Sequence, residues 1–260
     1  MAGGVSPGAI TVRYAPDNAP VISLAAPLGP GEQVLRIARH AGCADGTVAC
    51  GFHPDMTVVI FDRAGNWDTA VIQSIAPDTL TVIDRPVPRT LGYETGAQVM
   101  QLIETTLYFE PADGTLRREH ASMSNLPLLD NVVDVRFEYY GDPMPPVAPR
   151  PPAGVANCLY DAAGARLPLP TLTADHGELA TLSLATLGDG PMCGTGATAY
   201  DVDLLRIRKI RASLRLQTGV TMLRGSDPRL FVQPGPARDP GRMLPDVNLR
   251  LAFTPPNLQR

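Results

Sequence analysis

Short runs of alternating apolar and polar residues, punctuated by proline and glycine, constrain this chain more than any other feature. A period of two is the signature of a strand with one dry and one wet face. In "VVDVRFEYY" (132–140), Val133, Val135, Phe137 and Tyr139 face one way and Asp134, Arg136 and Glu138 the other. In "VNLRLAF", Val247, Leu249, Leu251 and Phe253 share a face. Further strands are expected at 57–62, 69–75, 79–84, 97–104 and 105–111, joined by the short turns "RAGNWD", "APD" and "ADG". That spacing predicts a meander of hairpins. With 27 prolines and 24 glycines falling between the apolar runs, the fold class expected is mainly β, with hairpin-rich antiparallel sheets and at most short helices.

The chain is read as one β-rich body over residues 1–260, crossed by a proline-rich surface segment at about 141–157. That segment is expected to run as extended polyproline. "GELATLSLATL" (177–187) fits either one short helix or an irregular buried loop.

Residues 200–219, "YDVDLLRIRKIRASLRLQTG", carry Arg206, Arg208, Lys209, Arg211 and Arg215. On a helix these charges would scatter. On a strand, Ile210, Ala212, Leu214 and Leu216 alternate cleanly with Lys209, Arg211, Ser213 and Arg215. Upstream, Leu205 and Ile207 sit in the opposite phase, so a bulge or a change of structure is expected near Arg208–Lys209. The reading is a turn or short helical entry over 201–208, then a strand from about 209 to 217 with its arginines in water. The net charge of −4 opposes a broad positive field, so no nucleic-acid partner is expected.

Four cysteines, Cys43, Cys50, Cys158 and Cys193, allow three connectivities. Chain order suggests Cys43–Cys50 and Cys158–Cys193, and disulfides suit an oxidising compartment. A rival at the first pair is tetrahedral zinc, because His40, Cys43, Cys50 and His53 are spaced H-x2-C-x6-C-x2-H. "GTGATA" (194–199) matches a dinucleotide-binding pattern but lacks the strand-to-helix context that gives the pattern meaning. Asp189, Asp201 and Asp203 offer oxygens for calcium, although ion pairing with the neighbouring arginines is the plainer use. Cys193 with His176 is a conceivable nucleophile and base, but neither sits in a recognisable signature. No catalytic motif stands out, so no enzyme and no cofactor are expected.

"LLDNVVDVRFEYYGD" (128–142), "YDVDLLRIRKIRASLRLQT" (200–218) and "LPDVNLRLAFTPPNLQ" (244–259) resemble the C-terminal body of prepilin-type proteins. "TTLYFEPADGTLRRE" (105–119) is similar to the strand-turn-strand that precedes them there. PilW-like minor pilins of type IV pili are the nearer likeness, and J-class pseudopilins of type II secretion the second. The resemblance implies the α+β pilin fold minus its N-terminal helix. Nothing in residues 1–30 is similar to a prepilin leader and apolar helix; "SPGAITVRYAP" looks like the first strand after them. It also implies a non-enzymatic structural role, with other minor pilins and the major pilin as partners. Such a protein sits in the inner membrane before assembly and in an extracellular filament afterwards. A stand-alone adhesive or carbohydrate-binding β-module is the alternative from a different class.

Overall fold

A computed structural model describes residues 5–6, 8–38, 51–63, 65–84, 92–120, 124–143, 158, 163, 165, 179–194 and 199–254. Its strands are β1 (Val5–Ser6), β2 (Ala9–Tyr14), β3 (Val21–Ser23), β4 (Val34–Arg36), β5 (Thr57–Phe61), β6 (Trp67–Ala76), β7 (Thr79–Asp84), β8 (Gln98–Gln101), β9 (Ile103–Glu110), β10 (Thr115–His120), β11 (Ser124–Leu129), β12 (Val132–Gly141), β13 (Ala180–Leu182), β14 (Met192–Cys193), β15 (Tyr200–Asp201), β16 (Ile207–Leu216) and β17 (Val247–Phe253). The only helical pieces among the described residues are 3-10 turns at Val202–Arg206, Thr221–Leu223 and Pro240–Arg242. The fold is mainly β and antiparallel, as the alternating runs predict.

Strands β3 to β8 form a six-stranded sheet in the order β3-β8-β5-β6-β7-β4. Its two edges meet. Leu24 bridges Ile37, Ala25 N–H donates to Arg36 O at 2.8 Å, and Ala38 N–H donates to Ser23 O at 2.8 Å. A sheet that returns on itself must fill its interior with alternate side chains from each strand. Ile22, Leu24, Leu35, Ile37, Val58, Ile60, Ala70, Ile72, Leu80, Val82, Ala97 and Val99 do so, in pairs two positions apart along the chain. A bulge between Ile72 and Ser74 helps β6 turn. Tyr93 closes one end. Its backbone exchanges two hydrogen bonds with Leu28, and its hydroxyl donates to Asp68 Oδ2 at 2.6 Å.

The hairpin meander is therefore only half of what this region does. β5, β6 and β7 run as consecutive hairpins, but β8 returns to pair with β5 and β4 pairs with β7. The run at 97–104 breaks at Leu102, which is buried between β8 and β9.

The barrel is inserted between two paired strands. β2 and β9 are antiparallel neighbours from Ala9↔Tyr108 to Tyr14↔Ile103, and the whole of β3 to β8 lies between them in the chain. They belong to a five-stranded sheet, β1-β2-β9-β10-β11. A second sheet, β13-β12-β16-β17, contains the three strands expected at 132–140, 209–217 and 247–253, in that spatial order.

These two sheets pack through one core. Ile10, Leu107, Phe109 and Leu116 from the first meet Val132, Val135, Phe137, Tyr139, Ile210, Ala212 and Leu214 from the second. β12 is the strand that lies against β2, β9 and β10. An irregularity between Val132 and Asp134 puts Val132, rather than Val133, into this core.

Tyr139 is the one core member with a hydroxyl, and that oxygen is buried with no hydrogen-bond partner among the described residues. Burial pushes its pKa up to about 12, because the phenolate would lose its water. The unfolded chain releases this proton near the ordinary value of 10.0, so stability falls as pH rises from about 10 to about 12. Tyr139→Phe removes both the orphaned hydroxyl and the titration. The variant is expected to gain about 1 kcal/mol at neutral pH. Urea midpoints measured for both proteins should diverge further above pH 10.

Candidate interaction surface

The charged run at 200–219 folds as a 3-10 turn followed by a strand. Asp201 begins it as a cap: its buried carboxylate accepts from Gly190 N at 2.7 Å and from Asp203 N at 2.8 Å. The 3-10 turn Val202–Arg206 follows, then β16. Tyr140 pairs with Lys209 and Gly141 with Ile207, so Arg208 is the extra residue of a bulge at the expected place. From Ile210 onward the aliphatics point into the core and the charges into solvent.

On that wet face Arg211 reaches Glu138 at 3.4 Å and Tyr140 Oη at 2.6 Å, with its guanidinium 4.7 Å from the tyrosine ring centroid. Arg136 pairs with Asp134 at 3.0 Å. Half-buried Arg208 donates to Leu205 O and Ile207 O, and burial pulls its pKa below the usual guanidinium range. Arg136 and Arg211 are turned toward neighbours in the same sheet, and Arg208 folds back onto backbone carbonyls at the start of its own strand.

Arg215 carries a different load. Its Nε donates to Asp246 Oδ2 at 2.8 Å. Asp246 also accepts from Gln217 Nε2 at 2.7 Å and Val232 N at 2.8 Å, with its side chain 1% exposed. One carboxylate thus gathers the end of β16, the long connection after it and the start of β17. Phe231, fully buried, packs in that connection near Met243 and Gly225.

β17 itself is where pattern and burial part company. Its partners across the ladder are Leu216↔Val247, Leu214↔Leu249, Ala212↔Leu251 and Ile210↔Phe253. Directly opposed residues share a face of a sheet. The four apolar side chains of β17 therefore lie on the same face as the buried aliphatics of β16. They are nevertheless exposed: Val247 55%, Leu249 41%, Leu251 61% and Phe253 45%. The first sheet covers β12, and β17 lies two strands further out, about 10 Å away at the ordinary strand spacing. The apolar face outruns its cover. Alternation in the sequence finds such a face but is silent on whether anything lies over it. No local signal marks Asp246 as the hub of the neighbouring connection.

Other sequence candidates are placed as follows. Cys158 and Cys193 are joined, with Cα atoms 5.6 Å apart, beside buried Tyr200 and Val202. Cys43 and Cys50 lie outside the described residues, as do His40, His176 and most of the proline-rich segment. Of the zinc set only His53 is described, and its Nδ1 lies 2.9 Å from Pro54 O. Asp203 pairs with Arg206 at 2.9 Å. Among the described residues no group of three or more His, Cys, Asp or Glu side chains converges as a metal site. The "GTGATA" stretch leads from Ala199 straight into β15, where the dinucleotide reading needs a helix. Leu182 and Leu187 of 177–187 are buried in a strand-and-turn segment, in line with the irregular-loop option.

An open notch of about 310 Å³ lies between His53, Asp55 and Met56 of the barrel and Glu104, His120 and Ser124 beyond it. Glu104 in its lining is held by Arg13, and no three of its His, Asp and Glu side chains gather as a metal site. No helix among the described residues is long and apolar enough to cross a membrane. No family model matches this chain, and no curated protein or solved structure matches it either.

Proposed function

We propose that this chain is the globular body of a PilW-like minor pilin, a non-enzymatic subunit that acts in the assembly or at the tip of a type IV pilus. The observation that carries the reading is the uncovered apolar face of β17, continuous with the body core. A sheet face of this kind is stable in water when another layer lies on it. The strip is about 23 Å long at ordinary strand rise and one to two strands wide, which matches a single helix of about 10 Å diameter laid along it. The resemblance supplies such a helix: the long apolar segment by which prepilins sit in the inner membrane and then pack into a filament. The stretches that carry the likeness contribute β12, β16 and β17, which are neighbours in one sheet, and this supports the reading.

The test is genetic and biochemical together. Deleting the gene is expected to reduce surface pili, and the protein is expected in the sheared filament fraction. Leu251→Asp should reproduce the deletion while the isolated body stays folded, because Leu251 is already exposed. Unchanged piliation and absence from sheared filaments would overturn the reading. A secretion defect with intact pili would move the protein to the J-class pseudopilins, and specific glycan binding by the isolated body to the adhesive modules.

A further inference from the structure

The outer edge of β17 is as open as its face. The strand ends its sheet, and the side away from β16 has no backbone partner among the described residues. All seven residues of Val247–Phe253 are exposed. Natural proteins usually blunt such an edge with a bulge, a proline, charged side chains or a covering segment. β17 pairs with β16 without a shift in register and has no proline within it, and Arg250 is its one charged residue.

We infer that β17 accepts one more antiparallel strand from a partner polypeptide whose residues alternate between apolar and acidic. The chemistry of the two faces sets that requirement. On the core side, the incoming strand meets Val247, Leu249, Leu251 and Phe253, and apolar residues there extend the strip already continuous with the buried core. On the wet side it meets Asn248, Arg250 and Ala252. Asp134 and Glu138 hold Arg136 and Arg211 on the inner strands. Arg250 stands opposite Ser213 and makes no ion pair among the described residues. A carboxylate on the added strand, directly across from Arg250, completes the ladder.

A second copy of β17 fits less well. Two such strands can align all their apolar residues, Val247 with Phe253 and Leu249 with Leu251, only by setting Arg250 against Arg250 of the second copy. Like charges directly opposite one another destabilise a strand pair.

The inference needs β17 alone. Its failure leaves the pilus reading where it stands, and loss of that reading leaves the edge open. The test uses a capped heptapeptide, acetyl-TVEVEVT-amide, with a lysine-for-glutamate control and a control N-methylated on alternate residues. Backbone amide exchange of the full chain follows β17 during titration. The acidic peptide is expected to protect β17 amides and to bind about fivefold more tightly than the basic one. Arg250→Glu should reverse that order, and N-methylation along the pairing edge should abolish protection. The inference is overturned if neither peptide protects β17, or if Arg250→Glu leaves the order unchanged. It is also overturned if β17 is protected only as the chain dimerises and the peptide does not compete; the occupant is then a second copy.

Discussion

Asp246→Ala is expected to destabilise the body by about 3–5 kcal/mol, a typical loss when one partner of a buried ion pair is deleted. The deletion takes the acceptor from three donors at once: Arg215 Nε–H, the Gln217 amide and the Val232 backbone N–H, while Arg215 Nη2 keeps its bond to Arg229 O at 3.4 Å. Gln217 is itself buried, and its unpartnered carbonyl oxygen, a single neutral acceptor, cannot stand in for a carboxylate that takes three bonds. Asp246→Asn keeps one acceptor and should lose less. Urea unfolding followed by tyrosine fluorescence measures the loss. Limited proteolysis shows where it falls, with new cleavage expected between β16 and β17. Arg229→Ala is the control: its pair with Asp227 is at the surface, and it should leave the urea midpoint essentially unchanged.

The second large effect is expected at Gly141. This residue closes β12 against the bulge of β16, and a Cβ built on it lies 2.2 Å from Arg206 O and 2.7 Å from Leu182 Cδ1. The first obstacle is backbone. It cannot swing aside, because Arg206 O also accepts from Asp142 N at 3.2 Å while Arg206 Nε donates to Asp142 O at 2.8 Å. Gly141→Ala should therefore part the ends of β12 and β16 and cost about 3 kcal/mol, the upper range for overpacking. Gly96→Ala provides the contrast in the same experiment. It has open space around it, so its cost comes only from its positive φ.

The body was more legible in the sequence than the barrel, for a physical reason. Alternation along 132–140 and 209–217 reports a local choice, which side of a strand is dry, and packing enforced that choice. Even the bulge at Arg208 was written locally, as a reversal of phase between Ile207 and Ile210. Barrel closure is not a local property. Nothing around Leu24 or Ile37 says that these two residues meet, and β8 could as well have continued the meander by pairing with β7. The face of β17 failed in the opposite direction. Its apolar positions were correctly grouped, yet the covering sheet ends before it, so burial did not follow from pattern. Asp246 left no trace beyond a single acidic residue ahead of a strand. Its role arises from chain segments that meet only in the folded state.

Insertion of the barrel between β2 and β9 has a mechanical consequence. Tension drawn through the chain from β1 toward β17 has two routes past Tyr14: along the covalent loop of the barrel, or across the hydrogen bonds that tie Tyr14 to Ile103 and continue to Ala9 and Tyr108. The second route is shorter and stiffer. While that ladder holds, the barrel hangs beside the load path as a slack side-loop, and it feels force only after β2 has peeled from β9 pair by pair, from Ala9–Tyr108 to Tyr14–Ile103.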